Sequence, residues 1–292
     1  MAKLSHSIIY VLALTLQRMA RLLSARMADS LGRCLGNVAR ALLTSRRRVA
    51  DDNLRHAFGD EYSDEQRAVV VKEVFQNIGR TSVEVARYGK LTPAGLREIV
   101  VGDGADILKR VHDEGKGGLI TTAHFGNWEY VGSWVAAMGY PMDLLVLTQH
   151  NEMFDRLLNQ NRKAMGVGIV SVGSGVKSIY KALKDNRFVG IAADQHDPSG
   201  NLIIDFLGRP AAAARGPAIF SLRTGAPVLP FMLRRESYDR HVMMAGEPIY
   251  PPAGGDEEEN VRAMVERYHR FFEDTARLYP GQWLWTHRRW KV

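Results

Sequence analysis

The sequence contains one cysteine, Cys34, among its 292 residues. A single cysteine cannot form a disulfide within the chain, and it cannot build a zinc site from several thiolates. Proline is absent before Pro93 and glycine is sparse in the same stretch, so residues 1–90 can form long helices. Within it, residues 63–66 predict a helix start, and residues 92–95 predict a break after it. The composition, 46% hydrophobic and 24% charged, is that of a folded protein and argues against a disordered chain.

Acidic residues are nearly missing from the first fifty positions. Residues 1–50 contain nine lysines and arginines but only one acid, Asp29, so this segment carries a net charge of +8, while the whole chain carries +7. Apolar residues are dense in the same segment, which is typical of an amphipathic helix on an anionic membrane surface. Nucleic acid is not predicted as a partner, because it would leave so much apolar surface without a role.

A hydrophobic run long enough to cross a membrane is also lacking. Only 14 residues separate Lys3 from Arg18, which is about 21 Å of helix against a hydrocarbon core of about 30 Å. We therefore predict that residues 1–90 form a helical, membrane-associated region that docks on the lipid without spanning it. Two alternatives stay open, a signal peptide, since Lys3 precedes an apolar run, and a core helix with a solvated basic face.

From about residue 97 short β-rich runs alternate with helical stretches. Strands are predicted at 118–122, 144–148, 168–172, 188–193, 202–206, 228–233 and 241–244, and helices at 128–138, 152–165, 176–185, 217–223 and 257–278. This alternation predicts an α/β fold with a mostly parallel or mixed central sheet flanked by helices, and one integrated domain over residues 97–292. The aromatic and basic end of the chain, residues 283–291, fits either a membrane interface or a tail folded on the core.

One segment combines a buried strand, a loop and a helix start with polar side chains. The strand ends near Thr122, His124 follows in the loop, Asn127 is predicted to cap the next helix, and Glu129 lies in its first turn. Gly126 is predicted to ease the sharp turn between the loop and the helix. Histidine titrates near neutral pH and suits the removal of a proton from an attacking hydroxyl, while Glu129 would hold one ring nitrogen. The alternative is a structural histidine at a strand end, capped by a helix glutamate.

Other catalytic motifs are missing. Residues 173–178 depart from a phosphate-binding loop, because Val176 stands where that loop needs glycine before its lysine. Neither a G-x-S-x-G elbow nor an H-E-x-x-H helix occurs, and the remaining histidines have no ligand spacing. We predict no metal site and no cofactor.

The segment His124-Phe125-Gly126-Asn127-Trp128-Glu129 resembles the H-x4-D/E motif of the glycerolipid acyltransferase superfamily, and in this form it is similar to the bacterial lipid A late acyltransferases. Further blocks follow in that family's order, at residues 161–166, 194–195, 206–211, 216–218, 223–230 and 282–291. The resemblance covers roughly residues 5–291. One block departs from it, Gln149-His150-Asn151, where an arginine is expected near His150.

The resemblance implies a lauroyl- or myristoyl-transferring enzyme at the cytoplasmic face of the bacterial inner membrane, peripheral or anchored by its N-terminus. The donor would be an acyl-carrier-protein thioester or acyl-CoA, and the acceptor a hydroxyl of a lipid A precursor or related glycolipid. Two other functions remain as alternatives, acylation of a lysophospholipid or glycerol phosphate, and a non-catalytic membrane-binding module.

Further residues are expected to contact substrate. Arg162 is expected to hold a phosphate with its forked guanidinium. Asp194 and Gln195 end a predicted strand, where they would shape the site together with Asn127, and Arg215 would face an anion at a helix N-terminus.

Overall fold

The computed structural model describes residues 11, 14–15, 17–147, 152–172 and 175–291. The helices with defined bounds are α1 (Ala25–Leu42), α2 (Thr44–Phe58), α3 (Asp64–Ala86), α4 (Pro93–Ile99), α5 (Gly104–Asp113), α6 (Glu129–Ala137), α7 (Glu152–Ala164), α8 (Val176–Lys184), α9 (Gly216–Thr224) and α10 (Glu257–Leu278). The strands are β1 (Val100–Gly102), β2 (Gly118–Thr122), β3 (Met142–Val146), β4 (Val167–Ser171), β5 (Phe188–Ala192), β6 (Ile203–Phe206), β7 (Arg209–Ala212), β8 (Val228–Arg235) and β9 (His241–Ala245).

A seven-stranded sheet forms the centre of the α/β region. Its strand order is β1-β9-β8-β2-β5-β3-β4, while β6 and β7 form a separate antiparallel hairpin. Neighbours in the large sheet are parallel except for β8 and β9. Side chains alternate between its faces, so Leu119 joins one buried cluster and Ile120 the other. The predicted α/β class with a mostly parallel central sheet is confirmed.

A local sequence signal marks the start of α3, the longest helix before the sheet. Ser63 accepts from the Gln66 amide, and the Gln66 side chain accepts in return from the Ser63 amide, a capping box that opens α3. α1 crosses α3 at very close range, because Gly32 and Gly36 face Gly79 there. A Cβ on Gly79 would overlap the carbonyl oxygen of Gly32, so only glycine permits this crossing.

The helical segment and the sheet share one buried cluster. Leu54 of α2 and Val74 of α3 belong to the same cluster as Leu119 and Val189 of the sheet. The C-terminal tail joins that cluster as well, through the buried rings of Trp283 and Trp285. Of the two alternatives predicted for this tail, the structure shows a tail folded on the core.

Three local predictions need correction. Residues 92–95, expected as a break, start α4, because Thr92 caps it and Pro93 takes the first helical position. The short strands β1 and β7 were not predicted, since runs of three or four residues show little periodicity. Helix α5, which has ten residues, was missed as well. The predicted strand 144–148 is β3, Met142–Val146, and the block at residues 149–151 lies outside the described residues.

Among the helices that the structure describes, none is both long and apolar enough to cross a membrane.

Candidate active site

The sheet register brings two polar residues to the same edge. β2 and β5 are parallel neighbours, and Thr122 lies opposite Ala192 at their carboxyl ends. His124 and Asp194 each follow that matched pair by two residues. Parallel strands end at the same edge of a sheet, so the two side chains meet there.

His124 and Asp194 form a close pair. Nδ1 of His124 lies 2.8 Å from Oδ1 of Asp194, and the Asp194 side chain is only 4% exposed. Burial raises the pKa of Asp194, but the charge and hydrogen bond of His124 outweigh it and lower this pKa below 3.8. The carboxylate is therefore ionised at neutral pH and accepts the proton of Nδ1, so in the neutral ring Nε2 carries the lone pair.

The pKa of His124 reflects two opposing effects. Burial by itself lowers it, whereas the charge of Asp194, the hydrogen bond that His124 donates to Asp194 and the charge of Glu129 raise it, with a net rise above 6.5. The side-chain nitrogen of Gln195 lies 3.3 Å from Nδ1 and 3.5 Å from Nε2 of His124. Gln195, which was predicted to shape the site, therefore lies beside the His124 ring.

Glu129 pairs with Arg162 and not with the imidazole. Arg162 donates from Nε at 3.1 Å and from Nη2 at 2.8 Å to the two oxygens of Glu129, a bidentate contact between side chains 13% and 15% exposed. This corrects two predictions. The ring nitrogen of His124 is held by Asp194 and not by Glu129, and the Arg162 fork expected on a phosphate is occupied by Glu129. Glu129 still reaches His124 through its charge.

The loop that carries His124 is held from two sides. Asn77 and Thr81 of α3 donate to the carbonyl oxygen of Gly126 at 3.1 and 2.9 Å, and the Gly126 amide donates to Gln282 at 3.0 Å. Gly126 has φ +54°, and a Cβ there would overlap the Leu233 carbonyl oxygen. Only glycine fits this turn, as its place in the motif predicted.

Asn127 acts as a tether and not as the predicted helix cap. Trp128 takes the cap position of α6 without a side-chain cap, while the Asn127 amide donates at 2.7 Å to Glu84 of α3. Glu84 is also held by Arg235 of β8, whose side chain is completely buried. Burial raises the pKa of Glu84, but the charge of Arg235, its hydrogen bonds and the nearby His241 drive it well below 4.5. No sequence motif marked Glu84 or Arg235, because their partners lie about 150 residues apart.

Arg215 lies outside this cluster. Its guanidinium donates to Glu258 of α10, so the cation expected to face an anion at the start of α9 already has a carboxylate partner. It lines a separate cleft that also includes Gln195.

An apolar cavity of about 270 Å3 opens beside Glu129. It is lined by Gln17, Ile78, Thr81, Ser82, Val85, Ala86, Trp128, Glu129, Leu157, Leu158 and Asn161. Trp128 connects it to the His124 pair, since the two ring centroids lie 5.3 Å apart. The catalytic histidine candidate and an apolar cavity are therefore adjacent, which suits chemistry on a long-chain substrate.

The chain is similar to known acyltransferases. Residues 2–292 match the family described as bacterial lipid A biosynthesis acyltransferase. The chain is 26% identical over 266 residues to the lipid A biosynthesis palmitoleoyltransferase of Escherichia coli K12, covering 90% of this chain and 84% of that one. It is 25% identical over 270 residues to the lauroyltransferase of the same organism, with the same coverage. A phosphatidylinositol mannoside acyltransferase of Mycolicibacterium smegmatis is 22% identical over 206 residues, covering 65% of this chain and 64% of its own. The chain therefore belongs to the family of bacterial lipid A biosynthesis acyltransferases and is an enzyme that transfers acyl groups.

Proposed function

We propose that this acyltransferase moves a fatty acyl chain from the thioester of an acyl-carrier protein or coenzyme A to a hydroxyl of a lipid A precursor or a related glycolipid. The family assignment supports acyl transfer to a glycolipid. The observation within the chain that carries the proposal is the His124–Asp194 pair, which leaves Nε2 of His124 as a base beside an apolar cavity.

The reaction follows from that geometry. The acceptor hydroxyl gives its proton to Nε2 of His124 as its oxygen attacks the thioester carbonyl carbon. Asp194 stabilises the imidazolium through Nδ1, as the aspartate of a serine triad does, although here the nucleophile is the substrate. The C–S bond then breaks, the acyl group stays on the acceptor oxygen, and the imidazolium returns its proton to the thiolate. This scheme needs no metal and no cofactor beyond the acyl donor.

Glu129 and Arg162 have a positioning role in this scheme. Arg162 holds both oxygens of Glu129 and so fixes the carboxylate at the entrance of α6. The hydroxyl of Tyr88 donates to the Glu129 carbonyl at 2.6 Å, which fixes its backbone as well. The charge of Glu129 favours the imidazolium that forms when His124 takes the hydroxyl proton.

The acyl chain is proposed to lie in the apolar cavity. Ile78, Val85, Leu157 and Leu158 give it hydrocarbon walls, while Glu129 and Trp128 stand at the side that faces His124. Its volume is just below the range of about 300–1,000 Å3 typical of ligand sites. A narrow apolar cavity accepts a single chain and excludes a sugar headgroup, which leaves the headgroup at the mouth.

The family assignment implies an enzyme that works at a membrane, and we propose the cytoplasmic face of the inner membrane. The exposed side of the N-terminal helices supports docking there. Leu22 is 85% exposed and Leu42 74% exposed, with Met27 and Val38 also in solvent. Arg26 and Arg33 are exposed between them and would face anionic headgroups.

The test is an acyl-transfer assay with purified protein, an acyl thioester and a detergent-dispersed glycolipid acceptor, with products identified by mass spectrometry. We expect the acceptor mass to rise by one acyl group with the wild-type chain, and almost no product with His124→Ala. Transfer to lysophospholipid but not to glycolipid would establish the alternative acceptor class. Membrane binding without any transfer would make the chain a non-catalytic module.

A further inference from the structure

A second cavity lies between the start of α2 and the C-terminal tail. It has a volume of about 480 Å3 and is lined by Ser45, Arg46, Val49, His287, Arg288 and Lys291. We call it the basic cavity, because three of these residues are cations and none is acidic. Arg46 also donates from Nη1 to the Thr286 carbonyl at 3.3 Å, so the two walls are joined.

Among the described residues, the cations of the basic cavity have no carboxylate partners, since no acidic oxygen lies within 4.0 Å of Arg46, Arg288 or Lys291. Arg162 and Arg235, by contrast, each pair with a glutamate. Cations that are gathered in a cavity and left unpaired repel one another. An anion placed among them would remove that repulsion.

The start of α2 adds to the same positive potential. Its first turn contains Arg46 and continues into Arg47 and Arg48, with no acidic residue and no side-chain cap. Basic residues at a helix N-terminus are unfavourable, because the helix dipole is positive there. The arrangement becomes favourable once an anion contacts both the arginines and the free amides of the first turn.

The basic cavity adjoins the catalytic pair through one residue. His287 lines it, and His287 also lines the small cavity that contains Asp194. Burial lowers the pKa of His287 to about 4, so this ring is neutral at pH 7 and adds hydrogen-bonding capacity without charge. The tail that carries it is fixed, since Asn53 of α2 donates at 2.7 Å to the carbonyls of both Trp285 and His287.

We propose that the basic cavity binds a phosphate group of a substrate and so orients that substrate toward His124. Arg46, Arg288 and Lys291 would supply the charge and Ser45 a hydroxyl donor. Arginine binds phosphate oxygens with its forked donors, and lysine adds a point charge. The identity of the substrate rests on the proposed function, and the phosphate comes either from the headgroup of the acceptor or from the phosphopantetheine arm of the donor.

The experiment compares paired substrates with paired proteins. Arg288→Gln/Lys291→Gln removes two exposed cations without touching the Arg46 tether, a second variant adds Arg46→Gln, and Arg223→Gln on α9 serves as the control for loss of an exposed arginine. KM is measured for a glycolipid acceptor with and without its phosphate, and for acyl-phosphopantetheine against acyl-pantetheine donors. We expect a rise in KM on the order of 10- to 100-fold with one phosphorylated substrate, an unchanged kcat, and no rise with its phosphate-free counterpart.

Which substrate shows the rise identifies the source of the phosphate. Equal effects with and without phosphate on both substrates, or no effect at all, would overturn the proposal. So would a change confined to binding of anionic vesicles, since that would make the cavity wall a membrane contact. Binding of inorganic pyrophosphate by titration calorimetry separates this proposal from the proposed function. Pyrophosphate binding that is lost in the triple variant supports the cavity even if no acyl transfer is detected.

Discussion

Nδ1 of His124 lies 2.8 Å from the carboxylate of Asp194, and the two residues occupy equivalent positions beyond the paired ends of strands β2 and β5. This relationship assigns the orienting role to a residue 70 positions away from the histidine and not to the neighbouring glutamate. This pairing and the other contacts of the fold lead to predictions for activity, pH dependence, stability and membrane binding.

The first prediction concerns the base and its partner. His124→Ala is expected to lower kcat by about 10²–10⁴, the usual contribution of general base catalysis. Asp194→Asn keeps the shape but removes the charge that favours the imidazolium, so it should also lower kcat. Steady-state acyl transfer measures both effects. The control is Asp113→Asn, an exposed carboxylate on α5, which should leave turnover unchanged.

The second prediction concerns the pH profile. Only neutral His124 can act as a base, and its raised pKa means that activity is lost as pH falls through a midpoint above 6.5. Asp194→Asn removes the negative charge that raises this pKa. The acidic limb of the kcat profile should therefore move to lower pH, even though the rate itself falls. A limb that stays in place would show that another group sets it.

The third prediction tests whether Glu129 and Arg162 act as a unit. Each single removal, Glu129→Gln or Arg162→Met, leaves a mostly buried charge without its partner, so each should lower kcat/KM. The double variant should lose less than the product of the two effects, since contacting residues are not additive. If Arg162 held a substrate phosphate instead, the two losses would multiply, and Arg162→Met would act mainly on KM for a phosphorylated substrate.

The fourth prediction concerns the buried pair that tethers the catalytic loop. Arg235→Met should reduce the free energy of unfolding by about 3–5 kcal/mol, because Glu84 is left as an unpaired buried charge. Adding Glu84→Gln should restore part of that loss. The exposed pair Arg262–Glu266 is the control, for which removal of one partner costs about 0–1 kcal/mol. Urea denaturation measures all four proteins, and equal losses in both pairs would contradict the expectation.

The fifth prediction concerns stability in acid. Burial and the charge of Arg289 lower the pKa of His269 in the folded state to about 3, against 6.5 for the unfolded chain. The unfolded state therefore binds the extra proton first, and the free energy of unfolding falls as pH drops from 6.5 toward 3, by about 1.4 kcal/mol per pH unit. Urea denaturation between about pH 7 and about pH 5 measures this slope. In His269→Gln the slope should be shallower, and an unchanged slope would assign it to other groups.

The N-terminal surface supplies a further test of membrane docking. Leu22→Glu/Leu42→Glu places charge on the exposed apolar side of the N-terminal helices and should weaken co-sedimentation with anionic vesicles. Leu278→Glu is the control, since this leucine is 68% exposed at the end of α10. High salt should weaken binding only in part, because it screens charge but not apolar burial. Equal sedimentation of all three proteins would place the docking surface elsewhere.

The sequence by itself determined the local features of this protein. A short β-rich run predicted β2 and a helical apolar period predicted α10, both with their observed bounds. Ser63 and Gln66 marked the start of α3. These signals were sufficient because periodicity and capping depend only on near neighbours. For the same reason, the sequence predicted that His124 lies beyond a strand end and that Gly126 eases a sharp turn. The family resemblance to lipid A acyltransferases, now confirmed, also rested on local blocks in a fixed order.

Only the tertiary structure decided which side chains pair. Asp194 reaches His124 because β5 lies beside β2 in the sheet, and the order of parallel strands is not written in any local pattern. Arg162 reaches Glu129, and Asn127 reaches Glu84, across helices that meet only after the core has packed. A carboxylate takes whichever donor the packed fold places within hydrogen-bonding distance, so the nearest glutamate in the sequence was not the partner of the histidine.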